Sequence, residues 1–134
     1  MAKLEIPQLP VEMAHQQAVT TLGGFYALAI RALVDKFGSK EALKILYSGL
    51  KENGKEAGAM AEMLGFTSKD AIAIASLMHL FEKQVLLIKG EPTKVSPNRV
   101  VKEMTECPFQ SLAPEACLSF QSLCEGICEV INPN

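Results

Sequence analysis

Tryptophan is absent from this 134-residue chain, and its two tyrosines and six phenylalanines amount to only 6% of it. A core without large rings must be filled by Leu, Ile, Val, Ala and Met, which suits closely packed helices. Hydrophobic residues at 49% supply enough of them for one domain. No basic run occurs and the formal net charge is −2, so the clustered positive footprint of nucleic-acid binding is missing. Charge breaks the longest apolar stretches short of the ~20 residues that span a bilayer. Residues 1–10 have neither a basic start nor an apolar signal core. The expectation is a cytoplasmic protein with neither nucleic acid nor membrane as partner. No phosphate-binding glycine loop, serine-nucleophile elbow, HExxH motif or internal repeat is present.

What is there is helical periodicity. Residues 1–10, with Pro7 and Pro10, read as a tail. From about His15 to Phe37 the apolar positions Val19, Leu22, Tyr26, Ala29, Ile30, Leu33 and Phe37 share one helical face, and Gly38 supplies a C-cap. Gly23-Gly24 interrupts that stripe and marks a kink or a close helix crossing. Ser39 is suited to cap a second helix running to about Leu64 and ended by Gly65. The second half of its stripe, Gly54, Ala57, Gly58 and Ala61, is nearly bare of side chain, which predicts a neighbouring helix at close range or a cavity. Thr67 and Asp70 outline a capping box for a third helix carrying Ala71, Ile74, Met78, Phe81 and Val85, which fades between Gln84 and Lys89.

The segment Gly90 to Cys107 changes character. Ser96-Pro97-Asn98-Arg99 is turn chemistry, flanked by Glu91–Val95 and Arg99–Glu106, and predicts a β-hairpin with short or bulged strands. Pro114 and Glu115 fit the first turn of a last helix, which should run to about Ile131 and stop at Asn132 before Pro133. The expected fold is mainly α: one domain, a bundle of about four helices with a small antiparallel β-hairpin before the last helix.

The four cysteines, Cys107, Cys117, Cys124 and Cys128, all lie in the last 28 residues. In a cytosolic protein such a group reads as reduced thiols, metal ligands or a redox pair, or as small hydrophobes that merely pack. On a helical wheel Cys117, Cys124 and Cys128 fall within about 40° of one another, beside Phe120, Gln121 and Ile131, and this looks like the core side of the last helix. Cys117 and Cys128 are roughly 16 Å apart along an unbroken helix, too far for one tetrahedral ion. Cys124 and Cys128 could share zinc or an iron–sulfur cluster with Cys107 or a histidine. Cys107, leaving a strand for a loop, is the best nucleophile candidate. His15 and His79 are the two histidines, and either one within hydrogen-bond reach of a thiol would serve as general base.

Thr105-Glu106-Cys107-Pro108-Phe109, followed by Cys117, Cys124 and Ile131-Asn132-Pro133, resembles the L-2-amino-thiazoline-4-carboxylic acid hydrolase-like family. The order of features is similar across most of the chain: a helix like Phe25–Gly38, a glycine-punctuated helix like Leu43–Gly65, a short hairpin, a Cys-Pro-aromatic motif and a cysteine-bearing helix. The family pattern continues past the Asn-Pro step with a Gly-Asp and a cysteine-containing strand, where this sequence stops at Asn134. The resemblance implies hydrolysis of a C–N bond in a small heterocycle, or a binding or sensory role. It puts Cys107 and Cys117 first among the positions to test and a small molecule as partner; with His79 as the second catalytic candidate, Cys117 and Gln121 are the expected substrate contacts. A chain this rich in apolar residues, with a hairpin edge and a glycine-lined helix, also has surfaces to hide, so a homodimer is expected.

Overall fold

The computed structural model describes residues 6–107 and 113–134. Four α-helices, α1 (Val11–Phe37), α2 (Ser39–Ala59), α3 (Ala71–Leu80) and α4 (Pro114–Ile131), accompany one antiparallel hairpin, β1 (Lys89–Ser96) and β2 (Arg99–Glu106), which precedes α4. This is the mainly α architecture expected from the periodicity. Pro108 and Phe109 of the Cys-Pro-aromatic motif lie outside the described residues.

The turns between elements are built from the residues that favour them. Gly38 closes α1 with φ +79°, and its N–H donates to the Val34 carbonyl. A side chain there would meet the left-handed penalty that glycine escapes. Ser39 does not cap α2. It is the first helical residue, and its hydroxyl donates to Glu115 Oε1 across to α4 at 2.5 Å. Regular α-helix stops at Ala59 rather than Leu64, because Met60 and Ala61 already donate to carbonyls three residues back. The tightened coil ends at Gly65, as expected. The cap of α3 is Asp70 itself, which accepts from the N–H groups of Ile72 and Ala73 and from Ser68; those bonds hold its carboxyl below the usual range. Thr67 takes no part.

The centre of the molecule is the α2–α4 crossing. Gly54 and Gly58 of α2 lie against Leu123, Gly126 and Ile127 of α4, so close that a Cβ built on Gly54 would stand 2.0 Å from the Leu123 carbonyl oxygen. The bare half of the α2 stripe therefore seats a neighbouring helix backbone, as its composition predicts. At the crossing's rim Lys51 pairs with Glu129 at 2.5 Å, and Tyr47 donates to Glu125 at 2.7 Å. The Glu129 carboxylate first, and then the Tyr47 hydroxyl, raise Lys51 to about 12.

On the other side of α4, Ala61, Ala73, Leu77, Ile127 and Ile131 form the core, flanked by Phe66, Ile74, Met78, Phe81 and Leu123. The expected stripe of α3 is correct for Ile74, Met78 and Phe81, but Val85 is exposed and the innermost positions are Ala73 and Leu77.

The first helix departs most from expectation. It begins at Val11, runs unbroken through Gly23-Gly24, and buries Gly23, Ala27 and Ile30. Leu22 and Phe37, read from periodicity as inward, are 66% and 48% exposed. Two polar contacts hold α1 in place: Tyr26 donates to Ser119 of α4 at 2.6 Å, and His15 Nε2 lies 2.9 Å from the Val85 carbonyl oxygen. An 18-residue window of this helix reaches a mean hydropathy of 1.3, so by length and composition it is long and apolar enough to cross a membrane. From the sequence every apolar stretch is expected to fall below that limit. Glu12 and Arg31 bracket 18 uncharged residues, in which glutamine and threonine obscure the run.

Candidate functional site

The hairpin folds back along α3. Its turn is tied to the start of that helix by the Ala71 N–H, which donates to the Pro97 carbonyl at 2.9 Å. At the far end α3 widens into a π turn at Phe81–Val85, and Leu87 follows with φ +57°, a left-handed conformation rare for a branched side chain. β1 then pairs with β2 through two irregularities, at Lys89/Gly90 and at Pro92/Lys94, which fulfils the expectation of bulged strands. A π turn, a strained residue and two bulges thus gather at one junction, and such features concentrate at functional sites.

Two hollows flank this hairpin on opposite faces. Glu91 and Thr93 of β1, with Glu103 and Thr105 of β2, line the first, together with Lys83, Leu87 and Ile88; it holds about 600 Å³. Pro92, Val100 and Lys102, whose side chains alternate to the other face, close the second against Ile72, Ala75, Ser76 and His79 of α3, with Val95; it is a slot of about 170 Å³. Lys102 is half-buried and pairs with Glu82 of the π turn. Glu91 takes Lys83 at 3.1 Å and faces His79 Nε2 at 3.6 Å, and the Lys83 hydrogen bond, ahead of its charge, lowers the Glu91 carboxyl. His79 Nδ1 is buried, and no group among the described residues bonds it.

The cysteines occupy other places. Cys107 is half-buried at the foot of β2, just past Glu106, which pairs with Lys89. Cys117 is exposed on α4, while Cys124 and Cys128 are half-buried. The cysteine stripe is not the core side of α4, contrary to the wheel reading. That side is Ala116, Ser119, Ser122, Gly126, Ile127 and Ile131, because the close crossing with α2 admits only small groups and the Tyr26 hydroxyl satisfies Ser119. Burial first, then neighbouring negative charge at Cys128 and Glu82, pushes the Cys124 thiol up to about 11; burial likewise raises Cys128. Both are therefore poor thiolates at neutral pH.

Among the described residues no group of three or more His, Cys, Asp or Glu side chains comes together to hold a metal ion. Cys107, Cys117, Cys124 and Cys128 thus form no zinc or iron–sulfur site within the described part of the chain. Glu91, which faces His79, pairs in register with Glu103, and Cys107 lies four residues beyond it along the chain, roughly 13 Å of strand. Gln121 is exposed, bonds Glu125 at 3.4 Å, and lines a third, shallow hollow between α2 and α4 with Tyr47 and Leu118.

The thiols should rank accordingly. At pH 8 iodoacetamide should modify Cys117 first and Cys124 last, with rates differing by roughly tenfold or more. Peptide mass mapping of the native protein reads the order directly, and equal rates would show Cys124 to be open to solvent.

Ser76, Lys102, Glu82 and Glu91 join the site only through the fold. The nearest signal in the sequence is the π-turn segment itself, where a helical stripe fades between His79 and the hairpin. No protein-family model, curated protein or solved structure matches the chain.

Proposed function

We propose that the protein binds a small molecule in the slot between α3 and the hairpin, with His79 as its principal polar contact. One observation carries this reading: His79 lines the slot with its Nε2 3.6 Å from the Glu91 carboxylate, while its buried Nδ1 has no partner among the described residues. A buried ring nitrogen left unbonded costs about 1–3 kcal/mol, which favours a rotation of the ring that brings it onto a ligand group in the slot. The slot holds roughly five water volumes, so the ligand is small. Ile72, Ala75, Pro92, Val95 and Val100 offer apolar walls to a flat body, and Ser76 and Lys102 offer donors at its edge. A five-membered nitrogen heterocycle carrying one polar or acidic group has this shape and chemistry. The resemblance of the Cys-Pro-containing region to the aminothiazoline-carboxylate hydrolases names the same substrate class and makes ring hydrolysis the first reaction to assay.

The test is titration of the protein with 2-aminothiazoline-4-carboxylate, following the His79 ring by NMR. A saturable shift at His79, abolished in His79→Phe, supports the reading. Absence of saturation at millimolar concentration, or saturation unchanged in the variant, removes His79 from the role.

A further inference from the structure

The face of α1 turned away from the core repeats with a spacing that the core does not use. Val11, Ala14, Ala18, Thr21, Phe25, Leu28 and Ala32 follow one another at alternating steps of three and four residues, the 3.5-residue period of a coiled-coil seam. Every one of them is exposed, with Phe25 at 64% and Leu28 at 62%. The buried Gly23 and Ile30 occupy the opposite side of the helix. Helix α1 therefore has two apolar faces and, within the described chain, a partner for one.

Surface area is sufficient for the missing contact. The chain exposes 9509 Å², whereas a compact monomer of 14.5 kDa exposes roughly 6,900 Å². The excess of roughly 2,600 Å² is more than the ~800 Å² that each partner contributes to a standard interface, so the chain has area enough to cover α1 in a pair.

We infer that α1 pairs with α1 of a second copy, antiparallel, through this seam. The direction follows from side-chain size. The first half of the seam is small (Ala14, Ala18, Thr21) and the second half is large (Phe25, Leu28). Antiparallel pairing lays Phe25 on Thr21 of the second copy and Leu28 on its Ala18, a large side chain on a small one each time, and only Ala14 meets another alanine, Ala32. Parallel pairing would stack Phe25 on Phe25 and Leu28 on Leu28 and leave Ala14, Ala18 and Ala32 each facing its own copy. The hollow along this face, lined by Thr21, Gly24, Phe25, Leu28 and Arg31, is open at Gly24, where a Cβ would meet nothing within 4 Å. A two-fold pair of this kind is self-complementary and closed. A membrane surface fits the face less well, because Gln17, Thr20 and Thr21 interrupt it and α1 has no cationic flank beyond Arg31 and Lys36. This inference is independent of the ligand reading above.

Sedimentation equilibrium of the full chain, with co-sedimentation on phosphatidylcholine/phosphatidylglycerol vesicles, decides it. The wild type should be a dimer at micromolar concentration, and both Phe25→Glu and Leu28→Glu should raise the dissociation constant roughly thirtyfold or more, with far-UV circular dichroism unchanged. Ala18→Leu should weaken the dimer, since the added bulk meets Leu28 of the second copy. A wild type that stays monomeric to 100 μM, a dimer indifferent to Phe25→Glu, or a monomer that sediments with vesicles would overturn the proposal. Tighter association of Ala18→Leu would overturn its antiparallel direction.

Discussion

Replacing Gly126 by alanine should destabilise the protein by about 3 kcal/mol or more. A Cβ on Gly126 would lie 2.0 Å from the Lys51 carbonyl oxygen, 2.9 Å from the Lys55 nitrogen and 3.0 Å from the Gly54 Cα. All three are backbone atoms, so no rotamer change relieves the clash and the helices must part along their length. Overpacking in a close-packed core costs about 1–3 kcal/mol and more where nothing can yield; small domains have about 5–15 kcal/mol in total. Separating α2 from α4 also pulls Lys51 from Glu129 and Tyr47 from Glu125. Gly49→Ala is the control, because that glycine lies in α2, the other helix of the crossing, with nothing within 4 Å of the added carbon. It should stabilise the protein by up to about 1 kcal/mol through helix propensity alone. Thermal melts of the two variants, one falling or absent and the other rising, check the pair; a folded Gly126→Ala of wild-type stability would mean that the crossing is looser than described.

Leu77→Ala should cost about 2–5 kcal/mol. Leu77 is fully buried, and with Ile30 and Ile127 it is one of only three large aliphatic side chains below 2% exposure in the described chain. Its neighbours Ala61 and Ala73 are too small to collapse into the space, and Ile127 and Ile131 are fixed by the glycine crossing behind them. The loss should appear in urea titrations as a lower midpoint with an unchanged slope. Because α3 forms one wall of the ligand slot, the variant should also broaden the His79 resonances. A loss below about 1 kcal/mol would show that the α3–α4 layer repacks freely.

The parts of this architecture that were legible in the sequence are those decided locally. Gly38 closes one helix, Pro97-Asn98 turns the hairpin and Pro114 opens the last helix, because each acts on its own backbone. The bare glycine stripe of α2 was also legible, since the absence of side chains admits few explanations other than close approach. The core side of α4 was not. A hydrophobicity reading ranks cysteine above serine, yet Ser119 is buried and Cys117 exposed, because the crossing selects for volume and Tyr26 supplies the hydrogen bond. The true inner face of α1 escaped for a related reason: a helix apolar on two sides gives periodicity no unique answer, and Leu22 and Phe37 were assigned inward. His79 is a candidate from the sequence, but its neighbour Glu91 and Lys102 across the slot lie on strands that reach it only when the hairpin folds back. No local pattern announces that contact.

The pairing of Gly54 with Gly126 also sets the order in which the chain can become a protein. The two glycines are about 70 residues apart, and the groove that α2 presents has no other occupant in the described chain. Contacts of such separation form late, because the intervening chain must be closed first. A growing polypeptide therefore carries α2, α3 and the hairpin as an unlocked set, with apolar surface in solvent, until α4 arrives. Its most vulnerable interval is the making of the last helix, when a chaperone or a protease finds everything except the piece that closes it.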